Sequence, residues 1–255
     1  MKAIILAGGL GTRISEESHI KPKPMVEIGG LPILWHIMKH FSVYGINDFI
    51  ICVGYKGHII KDYFYNYKKH HSNFTVNLNS GETTFHSSSS EPWTVTILDT
   101  GQETMTGGRL KIIEPYLTSD DFCMTYGDAV SDVNISKLIS FHKAHNKLAT
   151  LTAVHPVGRF GHLQLSEHTI SSFEEKPAFE QGYINGGFFV LSPKVLNFIE
   201  NEHTIWEQKP IQALVKKKEL LAYKHQGFWH CMDTLSDKNK LEMFWNSGAP
   251  WKTWD

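Results

Sequence analysis

An apolar run at Lys2–Leu6 leads into Leu6-Ala-Gly-Gly-Leu-Gly-Thr-Arg13, and the block Lys21-Pro-Lys-Pro-Met25 follows closely. Glycines at 8, 9 and 11 leave main-chain N–H groups uncovered and reach φ values closed to other residues. A loop of this kind at the end of a strand can cradle phosphates with backbone donors. Thr12 adds a hydroxyl, Arg13 a forked cation, and Lys23 an ammonium whose backbone is restrained by a proline on either side. Together these residue types could gather a polyphosphate and neutralise charge on it. Two common phosphate motifs are excluded: the glycines do not read Gly-x-Gly-x-x-Gly, and no Gly-Lys-Ser/Thr occurs. For the glycines alone, a plain turn with a solvent-exposed arginine is the alternative. Thr12-Arg13 and the Lys-Pro-Lys-Pro block weigh against it.

Acidic residues supply the second ingredient. Asp128, in Tyr126-Gly-Asp128, directly follows the apolar run Phe122–Thr125, which places it at the rim where open α/β sheets bind ligands. Magnesium takes hard oxygen ligands and keeps waters, so one or two carboxylates plus phosphate oxygens suffice for it. An isolated Gly-Asp also reads as a turn. Asp233, in Met232-Asp-Thr234, reads from spacing alone as the N-cap of an amphipathic stretch, a role compatible with metal ligation. Glu174-Glu-Lys-Pro177 holds a lysine before a proline, a compact cation suited to a phosphate dianion, although bare spacing favours a surface turn. Thr104 to Arg109 reads as a helix start. The 15 histidines include the helically spaced pairs His36/His40 and His142/His145. Without a His-Glu-x-x-His pattern or a cysteine pair beside them, they read as packed or exposed rather than as metal ligands.

Gly-Gly-Leu-Gly-Thr-Arg followed by Pro-Lys-Pro-Met resembles the signature of the sugar-1-phosphate nucleotidylyltransferases. The similarity runs almost end to end. It takes in Pro32-Ile-Leu-Trp-His-Ile-Met38, Gly54-Tyr-Lys-Gly57, Thr125-Tyr-Gly-Asp128, Gly158-Arg-Phe-Gly161, Phe173-Glu-Glu-Lys-Pro177 and Asn185-Gly-Gly-Phe-Phe189. Thr106-Gly-Gly-Arg-Leu110 and the tail Ala249-Pro-Trp-Lys-Thr-Trp254 point to the cytidylyl branch, which uses CTP. The resemblance implies in-line attack of a sugar 1-phosphate, glucose 1-phosphate in the first instance, on the α-phosphorus of CTP, giving CDP-glucose and pyrophosphate. It makes Lys23 and Arg13 catalytic, and Mg2+ the cofactor on Asp128 and Asp233. It assigns the nucleotide to Leu6, Ala7, Gly8, Gly9, Gly11, Thr12, Arg13, Lys23, Gly127 and Asp128, with Thr104 and Arg109 near the base or ribose. Glu175 and Lys176 then face the sugar phosphate, and Asn185 and Gly186 line the hexose side. It also implies a homo-oligomer, a hexamer by resemblance. A glycosyltransferase shares the acidic metal site but needs no Lys-Pro-Lys-Pro block aimed at a triphosphate. A non-catalytic nucleotide-sugar sensor usually loses a metal carboxylate or the phosphate lysine, whereas this chain keeps Asp128, Asp233, Lys23 and Lys176.

The elements that must position these residues are legible in outline. Apolar runs at Lys2–Leu6, Phe49–Val53, Phe122–Thr125 and Ala149–Val154 read as buried parallel strands. Leu34–Tyr44, Gly57–Tyr67 and Ile135–His145 read as amphipathic helices between them. The alternation predicts a doubly wound, mostly parallel α/β sheet of Rossmann-like nucleotidyltransferase type. Phe74–Ile97 breaks the pattern and is expected to be a ribbon-like excursion. His162–Ser166, Thr169–Phe173 and Ile184–Leu191 are expected as antiparallel strands added to the sheet, forming a sugar-side lobe. Residues 1–255 are expected as one nucleotidyltransferase domain, with a nucleotide lobe at roughly 1–155 and a sugar lobe at roughly 156–255. No internal repeat is found, so no solenoid is expected.

Of the 255 residues 41% are hydrophobic, enough for a large core, and the formal net charge of -1 offers no bulk field for nucleic acid or an anionic membrane. Cys52, Cys123 and Cys231 are few and far apart, which suits reduced thiols in a cytosol rather than a disulfide framework. The apolar run of MKAIILAGG is too short for a signal peptide or a membrane span, so a cytoplasmic location is expected. Trp206, Trp229, Trp245, Trp251 and Trp254 are expected in cores or contacts, with the Trp251/Trp254 tail docking on the body or on a neighbouring subunit.

Overall fold

The computed structural model describes residues 1–11, 14, 19–88, 90–156, 162–166, 169–174 and 182–254. The chain begins with β1 (Lys2–Ala7), then a short ribbon of β2 (Glu27–Ile28) and β3 (Leu31–Pro32), a helix at Ile33–Val43, and β4 (Asp48–Val53). A helix at Gly57–Tyr65 and a shorter one at Tyr67–His70 precede β5 (Ser72–Val76), β6 (Thr83–Ser88) and β7 (Thr94–Asp99). A helix at Thr106–Ile112 leads to β8 (Phe122–Tyr126) and β9 (Ala129–Ser131), and a helix at Ile135–His145 to β10 (Ala149–Val154). Next come β11 (His162–Ser166), β12 (Thr169–Glu174) and β13 (Ile184–Leu191). A helix at Lys209–Lys216, β14 (Leu220–Lys224), β15 (Trp229–Cys231) and a helix at Leu235–Asn246 complete the order.

Seven strands form one sheet in the order β14-β10-β13-β8-β1-β4-β7. Its strands are parallel except β13, which runs antiparallel to both β8 and β10. The interior strands are apolar along their whole length because both faces are covered. Along β1, Ala3, Ile5 and Ala7 enter one core while Ile4 and Leu6 enter the other. The chain steps outward from β1 to β4 to β7, then returns to the other side of β1 as β8. That reversal opens a crevice at the carboxyl ends of β1 and β8, where this class of sheet receives its ligands.

The expected doubly wound, mostly parallel sheet is present, and three local expectations are corrected. Thr94–Asp99 does not belong to the ribbon excursion but is the edge strand paired with β4, while β5 and β6 form a separate hairpin. An edge strand is half-exposed, so Thr94-Val-Thr-Ile97 alternates like a ribbon. Among the described residues β11 and β12 pair only with each other, and of the three expected antiparallel additions β13 alone enters the main sheet. The Gly57–Tyr67 helix stops at Tyr65, with Asn66 as its cap. The tryptophan-rich tail docks on its own chain. Trp251 is 1% exposed and stacks on Phe228, and Trp254 packs edge-on against Trp35.

Candidate active site

Leu6 and Ala7 end β1, and Gly8, Gly9 and Gly11 follow as an open turn. These five residues, with Lys23, Pro24, Thr104, Met105, Thr106, Arg109, Tyr126, Gly127, Asp128 and Asp233, line a cavity of about 370 Å³. Arg109 is the strut of its glycine wall. The residue is 4% exposed, and its guanidinium donates to the carbonyls of Val53 (3.2 Å), Gly101 (2.8 Å), Gly8 (3.0 Å) and Gln102 (3.4 Å), and to Thr100 Oγ1 (2.6 Å). One side chain thus ties together the carboxyl ends of β1, β4 and β7. Gly8 must be glycine for this, since a Cβ there would lie 2.1 Å from Arg109 Nη1. Arg109 reaches the cavity, but its two terminal nitrogens are committed to backbone carbonyls and the Thr100 hydroxyl.

Lys23 opens a 3-10 turn, Lys23–Met25, after Pro22 in extended conformation. Two X-Pro restraints and the Met25 N–H bond to Pro22 O at 2.8 Å fix the turn. The Lys23 ammonium donates to Asp128 Oδ2 at 2.7 Å and to Asp233 Oδ1 at 2.6 Å. Burial works against that charge, yet the attraction of Asp128 and then Asp233 outweighs it and holds the Lys23 pKa above the ordinary lysine value. Asp128 sits in the turn from β8 to β9, whose carbonyl accepts the Met232 N–H at 2.8 Å and so docks the second acid beside the first.

Asp233 is not a helix cap, as its spacing allowed. Thr234 caps the helix, and a capping box with Asp237 is complete: Thr234 Oγ1 accepts the Asp237 N–H at 3.2 Å, while Asp237 Oδ2 accepts the N–H groups of Thr234 (2.9 Å) and Asp233 (3.1 Å). The Asp233 carboxylate faces Lys23 instead. Among the described residues no cluster of three or more His, Cys, Asp or Glu side chains forms a metal site. Asp128 and Asp233, which converge on the Lys23 ammonium, are the candidate pair, and other oxygens would complete the shell.

On the β13 side, outside the cavity lining, Asn185 reaches the Tyr126 hydroxyl. Gly186 O accepts the Trp229 indole N–H at 2.7 Å, and Asn185 Oδ1 accepts the Gly187 N–H at 2.8 Å. Asn185 Nδ2 donates to the Tyr126 hydroxyl at 3.4 Å, and that hydroxyl donates in turn to Glu207. Thr12, Arg13, Glu175 and Lys176 lie outside the described residues. The histidines pack: His36 bonds Ile28 O at 2.8 Å and His40 bonds Val133 O at 2.8 Å.

A family model described as nucleotidyl transferase matches residues 2–245. The chain belongs to the nucleotidyl transferase family. It is 56% identical over 257 residues to a glucose-1-phosphate cytidylyltransferase of Salmonella typhi, covering 100% of each chain. It is 42% identical over 256 residues to a probable glucose-1-phosphate cytidylyltransferase of Bacillus subtilis, again covering 100% of each. The solved UDP-glucose pyrophosphorylase of Acinetobacter baumanii superposes with a TM-score of 0.71 at 20% identity, over 98% of this chain and 94% of that one, and so shares the fold. In this nucleotidyl transferase, sequence reasoning had singled out Lys23, Asp128 and Asp233 far apart in the chain, and the fold brings them into one cavity. It named Pro24 only as a restraint on Lys23 and gave no site role to Met105, Thr106, Tyr126 or Glu207; of these four, Glu207 alone lies outside the blocks singled out in the sequence.

Proposed function

We propose that this chain transfers the cytidylyl group of CTP to α-D-glucose 1-phosphate. An oxygen of the sugar phosphate forms a bond to the α-phosphorus, the bond from that phosphorus to the bridging oxygen of the β-phosphate breaks, and pyrophosphate leaves with the electron pair. The choice of CTP and glucose rests on the full-length relatives at 56% and 42% identity. The single observation that carries the chemistry is the convergence of Lys23, Asp128 and Asp233 on a glycine-walled hollow at the sheet's switch point. The attacking phosphate is already anionic near neutral pH, so the site needs no general base. The obstacle is repulsion between two polyanions, and positioning plus charge neutralisation overcome it.

The backbone at Gly8, Gly9 and Gly11 presents donors to the triphosphate, with Thr12 beside them. Lys23 and Arg13 balance charge on the α-phosphoryl group and the departing pyrophosphate. Glu175 and Lys176 hold the incoming sugar phosphate, and Asn185 and Gly186 border the hexose. Thr104 stands at the base or ribose end, and Arg109 serves by holding the glycine wall in shape. Two carboxylates meeting at one point suit a small, hard divalent ion, and Mg2+ is the proposed cofactor on Asp128 and Asp233. When bound, it supplies charge neutralisation and orients phosphate oxygens. A homo-oligomer is proposed from the resemblance, and a cytoplasmic enzyme from the soluble substrates. No helix among the described residues is long and apolar enough to cross a membrane.

Pyrophosphate release over a grid of nucleoside triphosphates and sugar 1-phosphates tests this reading. CTP with glucose 1-phosphate should give the highest kcat/KM. A preference for another base or sugar would overturn the substrate assignment, and no release with any pair would overturn the chemistry.

A further inference from the structure

Glu207 is an exposed carboxylate that makes no ion pair among the described residues, yet both of its oxygens are taken by hydroxyl groups. Oε2 accepts from Thr106 Oγ1 at 2.6 Å, and Oε1 accepts from the Tyr126 hydroxyl. Thr106 and Tyr126 both line the cavity, on opposite sides of the crevice between the Thr106–Ile112 helix and β8. The direction of the second bond matters. With its proton committed to Glu207, the Tyr126 oxygen is left to accept, and it receives Asn185 Nδ2 at 3.4 Å. Asn185 Oδ1 then takes the Gly187 N–H at 2.8 Å, so the whole amide has one orientation. Gly187, at φ +78, lies against the Tyr126 ring, where a Cβ would meet Cδ2 at 2.7 Å.

The two arms of Glu207 differ in how much else supports them. The start of the Thr106–Ile112 helix is also pinned by backbone bonds, Met105 N to Glu202 O at 2.9 Å, Gly107 N to Thr204 O at 2.9 Å and Gly108 N to Thr204 O at 3.2 Å. Trp206 N donates to Thr106 Oγ1 as well, at 3.0 Å. The Tyr126 hydroxyl has Glu207 as its one acceptor among the described residues. Loss of Glu207 therefore leaves the nucleotide wall standing and frees the Tyr126–Asn185 arm.

We propose that Glu207 is a positioning residue for the sugar 1-phosphate: its carboxylate, anchored on Thr106, orients Tyr126 and through it the Asn185 amide. This rests on the reading of Asn185 as part of the hexose side. Glu207→Ala should raise the KM for glucose 1-phosphate about tenfold while the KM for CTP stays within about twofold. Tyr126→Phe, which keeps the ring, should reproduce the split, and the double variant should be no worse than Tyr126→Phe alone. Glu207→Gln, with one acceptor left, should recover part of the loss. An additive double variant, or equal rises in both KM values, would overturn the proposal, as would unchanged kinetics. The Asn185 side-chain amide gives a readout that needs no substrate. Its proton exchange, followed by NMR, should quicken at least about fivefold in Glu207→Ala. Unchanged exchange overturns the arrangement even if the wild-type chain releases no pyrophosphate, an outcome that would sink only the cytidylyl-transfer reading.

Discussion

At the scale of single residues the decisive contacts are those of Lys23, at 2.7 Å from Asp128 and 2.6 Å from Asp233. Lys23→Ala should lower the rate of pyrophosphate release by about 10²–10³-fold, as loss of a donor aimed at developing charge does. The chain should remain folded but lose about 1–3 kcal/mol, because two part-buried carboxylates lose the hydrogen bonds from this ammonium. Thermal melts beside a rate assay check both, and a near-normal rate would remove Lys23 from the chemistry. Lys23 was legible in the sequence from its place between two prolines, whereas Asp128 read equally as a turn and Asp233 as a helix cap, and only the resemblance paired them. The role of Arg109 was not legible. Its motif pointed to the nucleotide, but which carbonyls a guanidinium meets depends on three strand ends brought together from residues 8, 53 and 101.

At the scale of elements, position rests on how helices and strands end. The capping box of Leu235–Asn246 aims Asp233: Asp237, 4% exposed, accepts the N–H groups of Asp233 and Thr234. Asp237→Ala leaves both donors without that acceptor and should cost about 1–3 kcal/mol, read in urea melts. It should also slow pyrophosphate release, since the Asp233 backbone loses its anchor. An unchanged rate would show that Met232 N–Asp128 O alone holds the acid in place. Spacing offered Asp233 as the cap because Asp and Thr are both good caps and stand side by side. Only the geometry shows which one turns inward. Interior strands declared themselves as continuous apolar runs. β7 did not, because an edge strand buries one face and alternates like any ribbon.

At the scale of the whole molecule, two buried histidines set an acid limit. His36 and His40 are 0% and 2% exposed, and burial, despite accepting backbone partners, lowers both pKa values from 6.5 to about 4. Their contribution is complete above about pH 6.5 and is lost as pH falls toward 4, because the unfolded chain takes up protons that the folded one refuses. Stability should drop between about pH 7 and about pH 5 by up to about 1.4 kcal/mol per unit for each histidine below its free value. His36→Gln, though less stable at neutral pH, should show a shallower loss, and parallel profiles would assign the acid limit elsewhere. The doubly wound layout was readable from strand–helix alternation, whereas the insertion of β13 against the sheet's direction was not, since an apolar strand carries no mark of polarity. The lysine lodged between the two acids has a consequence for handling the protein. The hollow carries its own internal counter-ion, so its architecture does not wait on a divalent metal for assembly. Stripping the protein with EDTA should then shift the melting temperature by less than about 2 °C while abolishing pyrophosphate release, in contrast to sites whose ligands have no resident partner and collapse when the ion is withdrawn.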